Sequence, residues 1–176
     1  LKCPGANTTV HYHQDFAFTP HSNDDVVTAL LLLDDVTENN GCLMVVPGSH
    51  KGEMYSLYDG KQFIGRVDDA TEAFLKSKQI PVVGSAGDVC LMHTRLAHGS
   101  APNKSETSRG LYICVYTAAD AVPLAKNPMP SPNEGLIVRG KKQISARMIN
   151  FEVELPQQPK SASFFTVQGQ ESATGK

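Results

Sequence analysis

Apolar residues in this chain come in short runs, each bounded by turn formers. Thr8 to Gln14, Val26 to Leu33, Cys42 to Val46, Ile80 to Val83, Asp88 to His93 and Leu111 to Thr117 are rich in Val, Ile, Leu or aromatic residues and are bounded by Gly, Pro, Asn, Asp or Ser. Runs of that length and spacing predict strands, and a chain dominated by them predicts an all-β sandwich or barrel. Only DDATEAFLKSK, Asp68 to Lys78, has helical composition, with an aspartate placed to cap its start, so one short helix is expected inside a long insertion. The stretch AVPLAKNPMPSP, Ala121 to Pro132, carries four prolines and must be irregular, leading to a late strand pair expected around Gly135 to Leu155. The polar tail QGQESATGK, residues 168–176, is expected to be mobile.

With 176 residues, 40% of them hydrophobic, and no internal repeat, residues 1–176 are expected to form a single domain around one core. Sixteen basic residues stand against eighteen acidic ones, scattered along the chain, which argues against a nucleic-acid partner. Apolar runs such as ALLLL at Ala29 to Leu33 are far too short to cross a bilayer, and the first residues show no charged-then-apolar signal pattern. Cys3, Cys42, Cys90 and Cys114 are widely spaced, three of them in strand-like runs, which suits reduced core thiols and a cytoplasmic location.

The chemistry begins at HYHQDF, residues 11–16. On a strand, residues two apart share a face, so His13 and Asp15 are expected to point together as half of a divalent-metal site, or else to form a simple hydrogen-bonded pair. His11 shares that parity and is a rival ligand. A third ligand has to come from elsewhere, since one strand cannot wrap around an ion. In LMHTRLAHGSAPNKSETSRGLYICVY, residues 91–116, His98 closes a short apolar segment and Arg109 opens the next, and a hairpin-like connection is expected to bring the two together. Two histidines and a carboxylate on one face of an ion are the ligand set of non-haem iron(II) oxygenases. Arginine adds an always-charged planar fork suited to the remote carboxylate of a dicarboxylic co-substrate. His50, His93 and His21 are weaker candidates: His50 is expected to order a loop, His93 to face away from His98, and His21 to meet solvent. Tyr12, Phe16 and Phe18 fit either an apolar pocket or the core.

HQD at residues 13–15, NGCLMVVPGSHKG at residues 40–52 and HGSAPNKSETSR at residues 98–109 together resemble the phytanoyl-CoA dioxygenase family of iron(II)- and 2-oxoglutarate-dependent oxygenases, from Pro4 to about Thr117. The resemblance implies a double-stranded β-helix, the jelly-roll or cupin-like fold, with His13, Asp15 and His98 as iron ligands. It implies Arg109, helped by the hydroxyl of Ser100, as the seat of the far carboxylate of 2-oxoglutarate, and Fe(II), 2-oxoglutarate and O2 as the reagents. The activity implied is hydroxylation of an unactivated carbon of a small-molecule metabolite, with succinate and CO2 as co-products. Halogenating relatives replace the carboxylate, so Asp15 favours hydroxylation.

Family members usually carry helices ahead of this strand, whereas twelve residues precede His13 here. The family's N-terminal helical region is therefore expected to be lacking, leaving a sheet face that invites a second subunit. Two rival readings stand beside the oxygenase: a cupin-like metal-dependent isomerase or hydrolase, which would need no Arg109, and a catalytically silent β-sandwich that only binds.

Overall fold

Nine strands, β1 (Val10–His13), β2 (Val26–Leu32), β3 (Leu43–Val45), β4 (Tyr58–Asp59), β5 (Gln62–Phe63), β6 (Ile80–Val82), β7 (Val89–His93), β8 (His98–Ser100) and β9 (Leu111–Thr117), and one helix, α1 (Asp69–Lys76), make up the regular elements of the computed structural model, which describes residues 1–5, 8–157 and 168. The alternation of β2 explains how they assemble. Val26, Thr28, Leu30 and Leu32 point inward and are buried, while Val27, Ala29 and Leu31 point outward. As the centre of a three-stranded sheet ordered β7-β2-β9, β2 is hydrogen-bonded on both sides, which suits its apolar, β-branched start.

The second sheet is ordered β1-β8-β3-β6, and every pairing in both sheets is antiparallel. Neighbours such as β1 and β8 lie far apart in sequence, as the double-stranded β-helix requires. Pro81 sits in β6, at the sheet edge, where its missing N–H costs no ladder bond. The core lies under β1: Tyr12, Phe18, Val46, Leu57, Phe63, Val67, Leu75 and Ala97 pack as one cluster. Tyr12, Phe16 and Phe18 are thus core residues. α1 starts as expected, with the Asp68 carboxylate accepting from the Ala70 and Thr71 amides, and it buries Leu75 in that cluster.

Four expectations need correction. Residues 133–157 form no strand pair; Gly135 and Gly140 both take positive φ, leaving only Leu136 to Val138 as an apolar run between two turns. The segment is instead pinned by side chains, with Arg147 on Asp25 and Asp120, and Ser56 donating to Glu154. His21 does not meet solvent: it is buried, with Nδ1 2.8 Å from the Thr19 carbonyl. β8 and β9 do not form a hairpin, because β8 pairs with β1 and β3 while β9 pairs with β2 in the other sheet; the intervening loop crosses between sheets. Asp15 is not on a strand, as described below. Of the expected polar tail, residues 169–176 lie outside the described residues; Gln168 is buried, its side chain donating to the Gly65 carbonyl at 2.8 Å and accepting from the His11 amide at 3.2 Å.

The outward face of β7-β2-β9 is apolar and largely open, with Leu91 68% and Tyr112 57% exposed beside Val27, Val89 and Tyr116. No helix among the described residues is long and apolar enough to cross a membrane.

Candidate metal centre

β1 ends at His13, and the chain turns at once into a 3-10 turn, Asp15–Ala17, closed by the Phe18 and Thr19 amides on the Asp15 carbonyl. The turn, rather than strand alternation, swings the Asp15 carboxylate back over His13. Gln14 anchors that turn from a fully buried position: its amide donates to the Arg95 and Glu53 carbonyls at 2.7 and 3.2 Å and accepts from the Tyr55 amide at 2.9 Å.

β8 brings the second imidazole. His98 is the cross-strand partner of His13, and the two ring centroids are 4.3 Å apart. Gly99 permits this approach, since a Cβ there would sit 2.8 Å from the Val10 carbonyl and 3.1 Å from the Tyr12 ring. The Asp15 Oδ1 atom lies 3.5 Å from Nε2 of both histidines, and the three ligand atoms fall within 4.8 Å of one another. The carboxylate's other oxygen, Oδ2, accepts from the Thr28 hydroxyl at 2.9 Å.

Hydrogen bonding fixes what these three groups can do. His13 Nδ1 lies 2.8 Å from the His11 carbonyl and His98 Nδ1 2.8 Å from the Leu96 carbonyl. A carbonyl only accepts, so in each neutral ring the proton belongs on Nδ1 and the Nε2 lone pair faces the cluster. Burial pushes the His98 pKa down, helped by the neighbouring His13, to about 4 despite the opposing Asp15 charge. For Asp15, burial alone would push the pKa up, but His98, His13 and the Thr28 hydroxyl outweigh it and hold the group at about 2. At neutral pH, His98 is therefore neutral and Asp15 ionised. Three potential ligand atoms converge, an arrangement that a divalent cation would satisfy.

The other histidines do not join them. His11 Nδ1 is 3.0 Å from Glu72 of α1, a buried carboxylate also bound by Lys76. His93 accepts from the Arg95 amide and packs against the His50 ring at 5.4 Å. Among the described residues, His13, Asp15 and His98 are the one group of three able to share an ion.

Arg109 and Ser100 meet through a residue that sequence reasoning missed. Lys2 pairs with Arg109 backbone to backbone, and its Nζ donates to Ser100 Oγ at 2.7 Å and to the Ala101 carbonyl. The Arg109 guanidinium donates to the Gly41 carbonyl, while its buried Nε has no hydrogen-bond partner among the described residues. Burial, with Arg109's charge beside it, holds the Lys2 pKa down at about 8. Two buried cations thus lie side by side, and among the described residues no carboxylate is hydrogen-bonded to either. Arg109 also lines a small cavity between the sheets, walled by Leu30, Leu32, Leu43, Cys90 and Leu111. Leu30 lies on the same inward face of β2 as Thr28.

The sequence profile of the phytanoyl-CoA dioxygenase family (PhyH) matches residues 1–111. The chain is 35% identical over 157 residues to the probable alpha-ketoglutarate-dependent hypophosphite dioxygenase of Stutzerimonas stutzeri, covering 87% of this chain and 55% of that protein. It is 34% identical over 125 residues to the peroxisomal phytanoyl-CoA dioxygenase of Homo sapiens, covering 66% of this chain and 36% of that protein. Among solved structures it is similar to the non-heme alpha ketoglutarate dependent carbocyclase SnoK from nogalamycin biosynthesis, with TM-score 0.56 and 29% identity over 68% of this chain and 47% of that one. It is likewise similar to EctD from S. alaskensis in its apoform, with TM-score 0.55 and 26% identity over 67% of this chain and 42% of that one. The chain thus spans about half the length of the hypophosphite dioxygenase and about a third of the human protein.

Proposed function

This chain belongs to the phytanoyl-CoA dioxygenase family of non-haem iron(II), 2-oxoglutarate-dependent oxygenases, and from that premise we propose that His13, Asp15 and His98 hold its ferrous ion and that Arg109 and Ser100, joined by Lys2, hold the far carboxylate of 2-oxoglutarate. The reaction we assign is hydroxylation of an unactivated carbon of a small molecule, with succinate and CO2 as co-products. The observation that carries this reading is the convergence of two Nε2 lone pairs and Asp15 Oδ1, each 3.5 Å from that oxygen, with both Nδ1 protons already committed to carbonyls.

Ferrous iron held by His13, Asp15 and His98 would supply the redox chemistry for oxidising a substrate with O2 and 2-oxoglutarate. The chain's own residues do the rest by position and charge. His98, neutral at pH 7, has no proton to displace before it binds. Asp15 offsets one of the two charges of the ion. Arg109 and Lys2 offer a cationic seat for a carboxylate that water would otherwise solvate, and Leu30, Leu32, Leu43 and Leu111 give the adjoining cavity an apolar wall.

The names of the two relatives carry hypophosphite and phytanoyl-CoA, which share little chemistry, so the substrate stands at the level of a small molecule. The four cysteines are unpaired, which suits a reducing compartment such as the cytoplasm. The open apolar face of β7-β2-β9 suits coverage by a second copy or by further chain.

Calorimetry with Co(II) in place of Fe(II) tests the assignment. The parent chain should bind one Co(II) and then 2-oxoglutarate. Arg109→Met should keep the metal and lose 2-oxoglutarate affinity by about a hundredfold, the scale of a buried charge-assisted pair. Retention of full 2-oxoglutarate affinity by Arg109→Met would refute the co-substrate assignment.

A further inference from the structure

Thr28 lies in the sheet opposite the metal strand, yet its hydroxyl reaches the metal centre. It occupies the middle of β2, with Met92 of β7 and Val115 of β9 as its cross-strand partners, and only 2% of it is exposed. A residue paired on both sides has little backbone freedom, and a β-branched side chain on a strand has little freedom at χ1. The position of this hydroxyl is therefore set by the sheet. Its oxygen lies 2.9 Å from Asp15 Oδ2.

Asp15 lacks that rigidity. Its backbone is held by the 3-10 turn, but the terminal torsion of a carboxylate is broad and close to two-fold, and 27% of this side chain is exposed. The two oxygens nevertheless have different partners. Oδ1 faces both Nε2 atoms at 3.5 Å, and Oδ2 faces Thr28. The hydroxyl, a single donor aimed at an ionised acceptor, makes the stronger, charge-assisted type of hydrogen bond.

We infer that Thr28 is a positioning residue that restricts Asp15 to one metal-facing oxygen, so that the ion keeps the open positions a chelating 2-oxo acid needs. The inference rests on the proposed metal centre and adds to it a residue that touches neither ion nor co-substrate. A carboxylate released from Thr28 can turn both oxygens onto a divalent ion. Two-oxygen binding would favour the ion and compete with the co-substrate. Loss of the hydroxyl thus has opposite consequences for the two ligands, whereas a residue important only for packing would weaken both together.

Thr28→Val keeps the shape and the β-branch and removes the donor; Thr28→Ser keeps the donor on a smaller side chain. Each is titrated by calorimetry first with Co(II) and then, once loaded, with 2-oxoglutarate, beside the parent chain and His13→Ala. Thr28→Val should hold Co(II) at least as tightly as the parent and bind 2-oxoglutarate about tenfold more weakly, the scale of one hydrogen bond to a charged group. Thr28→Ser should match the parent in both titrations. Undiminished 2-oxoglutarate affinity in Thr28→Val would overturn the inference while leaving the metal centre intact. So would a parallel loss of both affinities in Thr28→Val and Thr28→Ser, which would assign Thr28 to packing. A parent chain that binds Co(II) no better than His13→Ala would remove the metal centre itself, and the inference with it.

Discussion

His13 and His98 are cross-strand partners on β1 and β8, and their rings stand 4.3 Å apart although the two residues are 85 positions apart in the chain. The pairing of two short strands, not a local motif, creates the donor set, so it depends on how closely those strands approach.

Gly99 sets that approach. Gly99→Ala would place a methyl group 2.8 Å from a backbone oxygen, which cannot turn aside as a flexible side chain would. We expect a loss of stability of about 1–3 kcal/mol, typical of overpacking. Co(II) affinity should fall about tenfold or more as His98 moves off His13, since one lost factor of ten needs only about 1.4 kcal/mol. Thermal melts and Co(II) titration of the same preparation check both.

Acid should destabilise the metal-free chain in two steps. His98 has a folded pKa of about 4, below the ordinary histidine value of 6.5, so the unfolded chain binds more protons between those limits. Stability is then flat with respect to this group above pH 6.5 and falls as pH drops toward 4, by on the order of 3 kcal/mol. Asp15, held at about 2 against an ordinary 3.8, contributes stability that is present above 3.8 and lost as pH falls toward 2. Urea midpoints measured across this range check the first step, and His98→Leu should flatten it.

Lys2 and Arg109 repel each other in the absence of an anion. Lys2→Met should therefore cost little stability without 2-oxoglutarate, or raise it, while weakening 2-oxoglutarate binding to the Co(II)-loaded chain by about tenfold or more. Melting curves with and without the co-substrate check the sign: the stabilisation that 2-oxoglutarate confers should shrink in the variant.

The open apolar sheet face predicts self-association of the 176-residue chain. Leu91→Lys places a charge on that outward face, opposite Ala29 of β2 and on the side of the sheet away from the inward-facing Thr28. Light scattering should show a lower mass for the variant, with Co(II) affinity unchanged. Equal masses would remove this face from consideration as a contact between copies.

Much of this architecture was legible because the strands that alternate or run apolar, such as β2 and β9, carry their own signal. β8 was not, because His-Gly-Ser is turn composition; it becomes a strand through pairing on both sides with β1 and β3. His13, Asp15 and His98 were legible as donors, but the route by which Asp15 reaches them was not, since a turn rather than the strand period directs it. Lys2 and Thr28 left no local trace. A single lysine 98 positions from Ser100, or a threonine in an apolar strand, acquires meaning only when two sheets close over it. The late strand pair failed for the opposite reason: Leu136 to Val138 looked like a strand but had no partner edge between its flanking glycine turns.

The most direct test of the central claim is anaerobic titration of the chain with Fe(II) and then 2-oxoglutarate, followed by visible absorption from charge transfer between the ion and a chelating 2-oxo acid. The account predicts one Fe(II) per chain and an absorption band that grows to saturation with 2-oxoglutarate, absent from His13→Ala and His98→Ala. A band of undiminished strength in either variant, or none in the parent chain, would contradict it.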